Sequence, residues 1–189
     1  MLNHSEIGEN MMNLKNKKIR INGNRIYLRK LDEKDATQEY CDWLNDPEVN
    51  KYLETREATI KGLRQYIKDK NKDPNCLFLG IFLKENEKHI GNIKLEPVDF
   101  KNKKVIFLGM LIGDKKYWGK GIGTDATKLL VNWAFDNLKL EEIKLGVLSE
   151  NTAAIKVYTK AGFQLDTIEK KSKKIGNKVY ILSIKRRKM

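Results

Sequence analysis

Apolar and polar positions along the chain recur with two periods, and the period assigns most of the elements. Arg25-Ile26-Tyr27-Leu28-Arg29-Lys30-Leu31 alternates residue by residue and predicts a first strand. Asp32 stands where a helix N-cap would, with Asp35 three residues on as the far member of a loose capping box. The predicted helix runs to about Leu44, carries Tyr40, Trp43 and Leu44, and is broken by Asn45-Asp46-Pro47. A short helix is expected over residues 48–53. Thr59 caps another, with Leu63, Tyr66 and Ile67 on one face, and Asp73-Pro74-Asn75 ends it. Residues 77–83, 90–95 and 105–112 then read as strands. Polar turns at 84–88 and 102–103 join them into an antiparallel meander.

The third strand leads into the stretch around which the chain is organised, Tyr117-Trp118-Gly119-Lys120-Gly121-Ile122-Gly123-Thr124-Asp125-Ala126. After it, Ile122, Ala126, Leu129, Leu130 and Trp133 recur at helical spacing, and the helix continues to about Leu138. Gly119, Gly121 and Gly123 strip side chains from a bend where the backbone must come close to something. Free N–H groups at the helix start, with the helix dipole behind them, favour an anion there. The arrangement is that of a phosphate cradle. Residues 143–148 alternate again and, following a strand–helix crossover, should lie parallel to residues 105–112. Residues 151–161 predict a helix with Ala154, Val157, Tyr158 and Ala161 facing one way and Gly162 as its stop. Strands over 163–169 and 179–184, joined by a turn at Gly176-Asn177, close the chain.

Composition narrows the class. A chain of 189 residues, 40% hydrophobic and 33% charged, is long enough for one soluble domain with its own core. The domain is expected over residues 19–189, behind a flexible N-terminal tail, residues 1–18, that lacks the apolar segment of a signal peptide. No apolar run reaches the roughly 18 residues of a membrane span. Cys41 and Cys76 are isolated and show no metal or redox spacing, so no metal is expected, and two lone thiols fit the cytoplasm. The formal charge of +13 invites a nucleic-acid reading, but residues 1–31 hold +5, residues 168–189 hold +8, and residues 32–167 are neutral. Solvated basic ends explain this distribution, and nucleic acid is not expected as the partner. An anionic partner or substrate remains the other use of such ends. Oligomeric state is not readable, and a homodimer stays open.

Three phosphate-binding readings compete for the glycine turn. A Walker loop fails because Gly121 follows Lys120 where Ser or Thr is required. A dinucleotide fingerprint is present at Gly121, Gly123 and Ala126, with Glu141 at a suitable distance. That fold, however, needs the strand to run straight into its first glycine, and Gly113-Asp114-Lys115-Lys116-Tyr117-Trp118 intervenes. In the third reading, the strand, the Trp118-Gly119-Lys120-Gly121-Ile122-Gly123 turn and Asn151-Thr152-Ala153-Ala154-Ile155-Lys156-Val157-Tyr158-Thr159-Lys160-Ala161-Gly162-Phe163 resemble the GNAT acetyltransferase superfamily. The second motif matches every fixed position of that family's N-x-x-A-x-x-x-Y-x-x-x-G-F signature. Arg29-Lys30-Leu31 and the Tyr-Trp-Gly-Lys-Gly turn resemble its RimL/RimJ-type branch, which acetylates protein N-termini and small amines.

The resemblance, over about residues 24–185, implies an α+β fold (α/β mixed): a central mixed, mostly antiparallel sheet with helices on both faces. It implies an N-acetyltransferase that moves an acetyl group from acetyl-CoA to a primary amine by direct attack on the thioester. The pyrophosphate would sit on N–H groups of Gly119, Lys120, Gly121, Ile122, Gly123 and Thr124, in a cofactor-binding loop that Trp118 begins, with Lys120 adding charge. The pantetheine arm would pair with backbone groups of Leu111 and Ile112, and an N–H near Met110 or Leu111 would hold the oxyanion. Asn151 would cap its helix and bond the arm, Ala154 would let it approach, and Lys160 would reach the 3′-phosphate. Tyr158 would donate to the leaving thiolate. Where the branch often carries a strand Glu as base, the matching position here is Phe107 or Leu108. Glu96 and Asp99, or a relayed water, are the remaining candidates. His4 and His89 look peripheral. Tyr40, Trp43, Asn50, Tyr52 and Arg56 are candidate acceptor-lining residues, and residues 40–49 resemble members acting on amino sugars of surface polysaccharides. Acceptors to consider are an amino-sugar nucleotide, another small amine and a protein N-terminus. The rival reading is a catalytically silent acyl-CoA-binding or RNA/ribosome-associated module.

Overall fold

A computed structural model describes residues 14, 18–53, 57–170 and 178–187. Of the predicted N-terminal tail only Leu14 and Lys18 fall within them. Leu14 is buried in the main core and its carbonyl accepts from Lys30. Arg56 and the Gly176-Asn177 turn lie outside the described residues.

Strand β1 (Arg20–Asn22) turns at Gly23 into β2 (Ile26–Lys30). The Asp32–Asp35 capping box forms, but it serves a single 3-10 turn, Glu33–Asp35, instead of starting a long helix. The Arg29 guanidinium grips both Asp35 oxygens at 2.7 Å and holds that turn against β2. Helix α1 (Gln38–Asn45) therefore starts afresh, capped by Thr37. The expected helix over 48–53 is replaced by turns. Asp46 takes the Glu48 N–H at 2.9 Å and Asn50 Nδ2 donates to the Leu44 carbonyl at 2.8 Å, side-chain bonds that compete with helix formation. Helix α2 (Ile60–Lys72) begins at Thr59 as expected and buries Leu63 and Ile67, while Tyr66 stays exposed.

The meander follows as β3 (Leu77–Leu83) and β4 (His89–Leu95), then the short pieces β5 (Val98–Asp99) and β6 (Lys104–Val105), and β7 (Leu108–Ile112). A 3-10 turn, Lys115–Tyr117, leads into α3 (Ile122–Asn137). Strand β8 (Glu142–Leu148), helix α4 (Thr152–Ala161) and the antiparallel pair β9 (Gln164–Lys170) and β10 (Lys178–Lys185) complete the domain.

The strands form two five-stranded sheets, ordered β1-β2-β3-β4-β7 and β5-β6-β8-β10-β9. Adjacent residues of β2 mark the two faces. Leu28 joins the core built with Ile122, Ala126, Leu130 and Tyr158, whereas Tyr27 joins the core built with Tyr40, Trp43, Leu63 and Ile67. Helices α1 and α2 thus cover one face and α3 and α4 the other.

One expectation needs correction because of its consequence. Residues 105–112 are not one strand parallel to β8. Only Lys104–Val105 pair with Glu142–Ile143, and Leu108–Ile112 pair with β4 instead. The chain bends at Ile106 and Phe107, which stand 62% and 44% exposed. Beyond the bend the edge of β7 that faces β8 carries no ladder among the described residues. The register of β7 on β4 is tight at Gly91, where an added Cβ would lie 2.2 Å from the Leu111 carbonyl oxygen. Gly91→Ala is expected to destabilise the fold by about 1–3 kcal/mol, read as a lower urea midpoint. An unchanged midpoint would contradict this register.

Candidate active site

Two hydrogen bonds set the parity of the β4–β7 ladder. Gly113 N–H donates to the Ile90 carbonyl at 2.9 Å, and Glu96 N–H donates to the Phe107 carbonyl at 3.0 Å. Phe107, Gly109, Leu111 and Gly113 therefore turn their backbone groups toward β4, and Leu108, Met110 and Ile112 turn theirs toward the gap before β8. This corrects the sequence expectation by one residue: Leu111 is committed to β4, and Met110 joins Ile112 on the open edge. The Ile112 carbonyl already accepts from the Trp118 indole at 2.7 Å, so Trp118 folds back over the end of β7 with its ring 39% exposed.

The turn after β7 is shaped by its glycines. Gly119 and Gly121 have φ of +71° and +79°, the left-handed region that a Cβ penalises. Gly121 is the N-cap of α3 and supplies no side-chain cap. Helices α1, α2 and α4 are all capped by a side-chain oxygen, from Thr37, Thr59 and Asn151. The first N–H groups of α3, at Ile122, Gly123 and Thr124, meet no such oxygen among the described residues, and they carry the positive end of a sixteen-residue helix dipole. Arg25, at the start of β2, braces the turn. Its Nη1 donates to the Lys120 carbonyl at 3.0 Å, and Nε and Nη2 hold Asp125 at 3.1 and 2.7 Å. Lys120 is exposed, its ammonium 5.6 Å from the centre of the Tyr117 ring.

Three elements converge at Gly123. A Cβ there would meet Met110 Cε at 2.9 Å and Val157 Cγ1 at 3.5 Å, so strand β7, the start of α3 and the middle of α4 touch at one point. The next residue along α4 is Tyr158. Its ring is buried, 5.9 Å from that of Phe163. Its hydroxyl has no hydrogen-bond partner among the described residues. No fully buried side-chain oxygen or nitrogen among them is unpaired, so the Tyr158 oxygen opens on accessible space. Burial raises its pKa above the ordinary phenol value. One residue face away, Asn151 Oδ1 accepts the Ala154 N–H at 3.1 Å as the cap, which leaves its amide N–H₂ available. Ala154 is half-buried and Lys160 exposed.

The acceptor-side expectations fare differently. Tyr40 is buried and takes a 2.7 Å hydrogen bond from Asn92. Asn50 is buried and bonded to Leu44. Neither lines open space. Trp43 packs its indole on Gly113 and edges a shallow depression of about 380 Å³ shared with Glu39, Asp42, Asp46, Lys88 and Asp114. Tyr52 is half-buried, and its hydroxyl donates to the Glu150 carbonyl at 3.2 Å. With Lys115 bonded to Asp46 and Glu48 at 2.7 and 3.0 Å, residues 46–52 bridge the loops that leave β7 and β8.

Neither carboxylate proposed as base is poised for that role. Burial pushes the Glu96 carboxyl up, but the Lys70 and Lys94 ammoniums, the latter at 2.6 Å, hold it below its ordinary value. Hydrogen bonds from Asn102 hold Asp99 low as well. His89, expected at the periphery in a turn, lies in β4 with its ring stacked on Phe82 at 4.8 Å, and burial drives its pKa down to about 4. Arg25 is a residue that sequence reading passed over as a site residue. Arg25 acts on partners 95 and 100 residues away, and no local pattern announces such contacts.

Comparison with known proteins agrees with this geometry. Residues 25–164 match the family described as the acetyltransferase (GNAT) domain. The chain belongs to the GNAT acetyltransferase family. It is an acyltransferase, and the family draws its acetyl group from acetyl-CoA. Among GNAT relatives, the probable N-acetyltransferase YjcK of Bacillus subtilis (strain 168) is 31% identical over 164 residues, covering 82% of this chain and 89% of that protein. Among solved structures, a GNAT-family acetyltransferase from Bacillus anthracis has a TM-score of 0.76 at 22% identity, covering 88% of this chain and 98% of that one. The spermidine N-acetyltransferase from Vibrio cholerae, in complex with CoA and spermine, has the same TM-score, 0.76, at 18% identity, covering 86% of this chain and 96% of that one. These two structures share the GNAT fold. No helix among the described residues is long and apolar enough to cross a membrane.

Proposed function

We propose that this chain transfers an acetyl group from acetyl-CoA to the primary amine of an amino-sugar nucleotide, another small amine or a protein N-terminus, by direct attack on the thioester. The observation that carries the reading is the pairing of an uncapped α3 N-terminus with an open β7 edge that leads to it. The diphosphate rests on N–H groups of residues 119–124, beside Lys120. The pantetheine amides extend along β7 and pair with Met110 and with the Ile112 N–H. The Asn151 amide adds a donor from α4, beside Ala154, and Lys160 reaches toward the 3′-phosphate. The Met110 N–H faces the thioester carbonyl and steadies the oxyanion. Tyr158 donates to the sulfur as the C–S bond breaks. The amine enters from the α1 side, where residues 46–52 wall the gap and Tyr52 is the half-buried aromatic. The reaction belongs to the cytoplasm, where the buried thiols of Cys41 and Cys76 stay reduced. The spermine bound in the Vibrio cholerae spermidine N-acetyltransferase is a reason to include polyamines among the acceptors tested.

Titration calorimetry with CoA and release of free thiol from acetyl-CoA in the presence of amino-sugar nucleotides, polyamines and N-terminal peptides test the reading. Binding and amine-dependent thiol release are expected. Binding without release from any amine would favour a silent acyl-CoA module, and absence of binding would end the proposal.

With Glu96 and Asp99 held low, neither of these two carboxylates is a strong base, and water carries the ammonium proton out of the gap. The expected kcat/KM for the acceptor then rises with pH in proportion to the free amine. Its plateau moves with the acceptor, from about pH 8 for a peptide α-amine to about pH 10 for an alkylamine. A plateau at one pH for both acceptors would instead reveal a protein base.

A further inference from the structure

We infer that Arg25 is a positioning residue for the acyl donor, one that aims the diphosphate turn. This inference rests on the proposed function. The guanidinium is half-exposed, yet all three of its nitrogens are engaged with the glycine turn: one with the Lys120 carbonyl and two with the Asp125 carboxylate. Each contact has its own consequence. A trans peptide points its C=O and N–H in opposite directions. Arg25 draws the Lys120 carbonyl to itself, and so directs the Gly121 N–H of the same peptide away from Arg25, to the side where an anion can meet it. Gly121 has φ of +79°, and a neighbouring Gly119 at +71° makes the Lys120 peptide free to rotate unless something holds it. Arg25 Nη2 lies 3.4 Å from the position of a Gly121 Cβ, so the guanidinium also forms the back of the bend.

The second contact concerns charge. Asp125 lies in the first turn of α3, where its carboxylate would itself satisfy the helix dipole and repel an incoming diphosphate. The two-point bond to Arg25 turns that carboxylate aside and neutralises it. The elements bridged are the first long strand of the domain and the helix that starts the second half. The contact therefore also fixes the turn relative to the sheet that carries β7.

The test separates the donor's nucleotide from its thioester. Arg25→Ala and the milder Arg25→Gln are compared with the native enzyme for calorimetric Kd of CoA. They are also compared for kcat/KM with acetyl-CoA and with acetyl-pantetheine, which lacks the diphosphate. The expected result is an increase of about tenfold in the Kd of CoA for Arg25→Ala, the scale of a lost charge-assisted contact. A smaller increase is expected for Arg25→Gln, which keeps a donor for the Lys120 carbonyl. Activity with acetyl-pantetheine should be unchanged, as should the melting temperature. Adding Asp125→Asn to Arg25→Ala should recover part of the affinity by removing the uncompensated carboxylate. An unaltered Kd in Arg25→Ala overturns the inference, as does an equal loss with acetyl-pantetheine, which would mark Arg25 as support for the fold only. If the native chain itself does not bind CoA, the proposed function fails first and this inference with it. Native binding with an indifferent Arg25→Ala removes this inference alone.

Discussion

Tyr158→Phe is expected to lower kcat for amine acetylation by about 10- to 100-fold while leaving the Kd for CoA within about twofold. The change removes one oxygen and keeps the ring, so the edge-on contact with Phe163 and the packing of α4 against Gly123 survive. The oxygen removed has no hydrogen-bond partner among the described residues, so no buried group is orphaned by its loss. A purely structural tyrosine would therefore be replaced at little cost. The chemical role is narrower than full proton transfer. An ordinary phenol sits about 1.5 pKa units above a thiol, and burial raises Tyr158 further, so handing the proton over is uphill. Burial also favours the protonated phenol, the form that donates a hydrogen bond. That bond is weak to a neutral thioester sulfur and strong to a thiolate, which places the benefit in the transition state and hence in kcat. The defect should shrink for acetyl thioesters of more acidic thiols, which need less help to leave. A kcat equal to that of the native enzyme would remove Tyr158 from the reaction. A Kd that rises in step with the loss of kcat would make it a binding residue instead.

What could be read ahead of the structure divides by the range of the interaction. Thr59, Asn151 and Gly162 act on backbone within four residues of themselves, and each stands where its residue type predicts. The glycine turn is likewise a local statement, since the need for positive φ at Gly119 and Gly121 is met by residue identity alone. The failures come from partners distant in sequence. Asp32 and Asp35 promised a long helix; their capping box forms, but it closes a single turn that Arg29 ties to β2, and Thr37 starts the helix afresh. The run from Val105 to Ile112 is uniformly apolar, and nothing in such a run says that its ends pair with different strands. The break at Ile106 and Phe107 follows from competition between β4 and β8 for one chain. The same competition fixes which backbone groups of β7 are free, so the shift from Leu111 to Met110 could not be read from composition. Tyr40 and Asn50 illustrate a further limit. A polar or aromatic side chain near a helix end suits a binding wall and a hydrogen-bonded core equally well, and Asn92 and Leu44 settle the matter here in favour of the core.

The double variant Gly119→Ala/Gly121→Ala should weaken CoA binding by about 100-fold with only a small change in the melting temperature. Each alanine must either adopt a left-handed backbone, at about 1–2 kcal/mol, or relax to negative φ and turn the neighbouring peptides. The two routes lead to the same loss. Strain held in the turn makes the cradle a minor conformation and reduces affinity by its population. Relaxation points the Gly121 N–H elsewhere and breaks the contact between Lys120 and Arg25. Crowding does not enter at Gly119, where an added Cβ meets nothing within 4 Å, so the effect there is conformational rather than steric. That distinction supplies the control. Asparagine is larger than alanine but visits the left-handed region more readily, so Gly119→Asn should bind CoA better than Gly119→Ala. A steric account predicts the reverse order. The turn is exposed, and its residues contribute little to either core, which is why stability should barely respond. Native affinity in the double variant would show that no phosphate rests on this bend. The acyl donor would then have to be held along β7 alone.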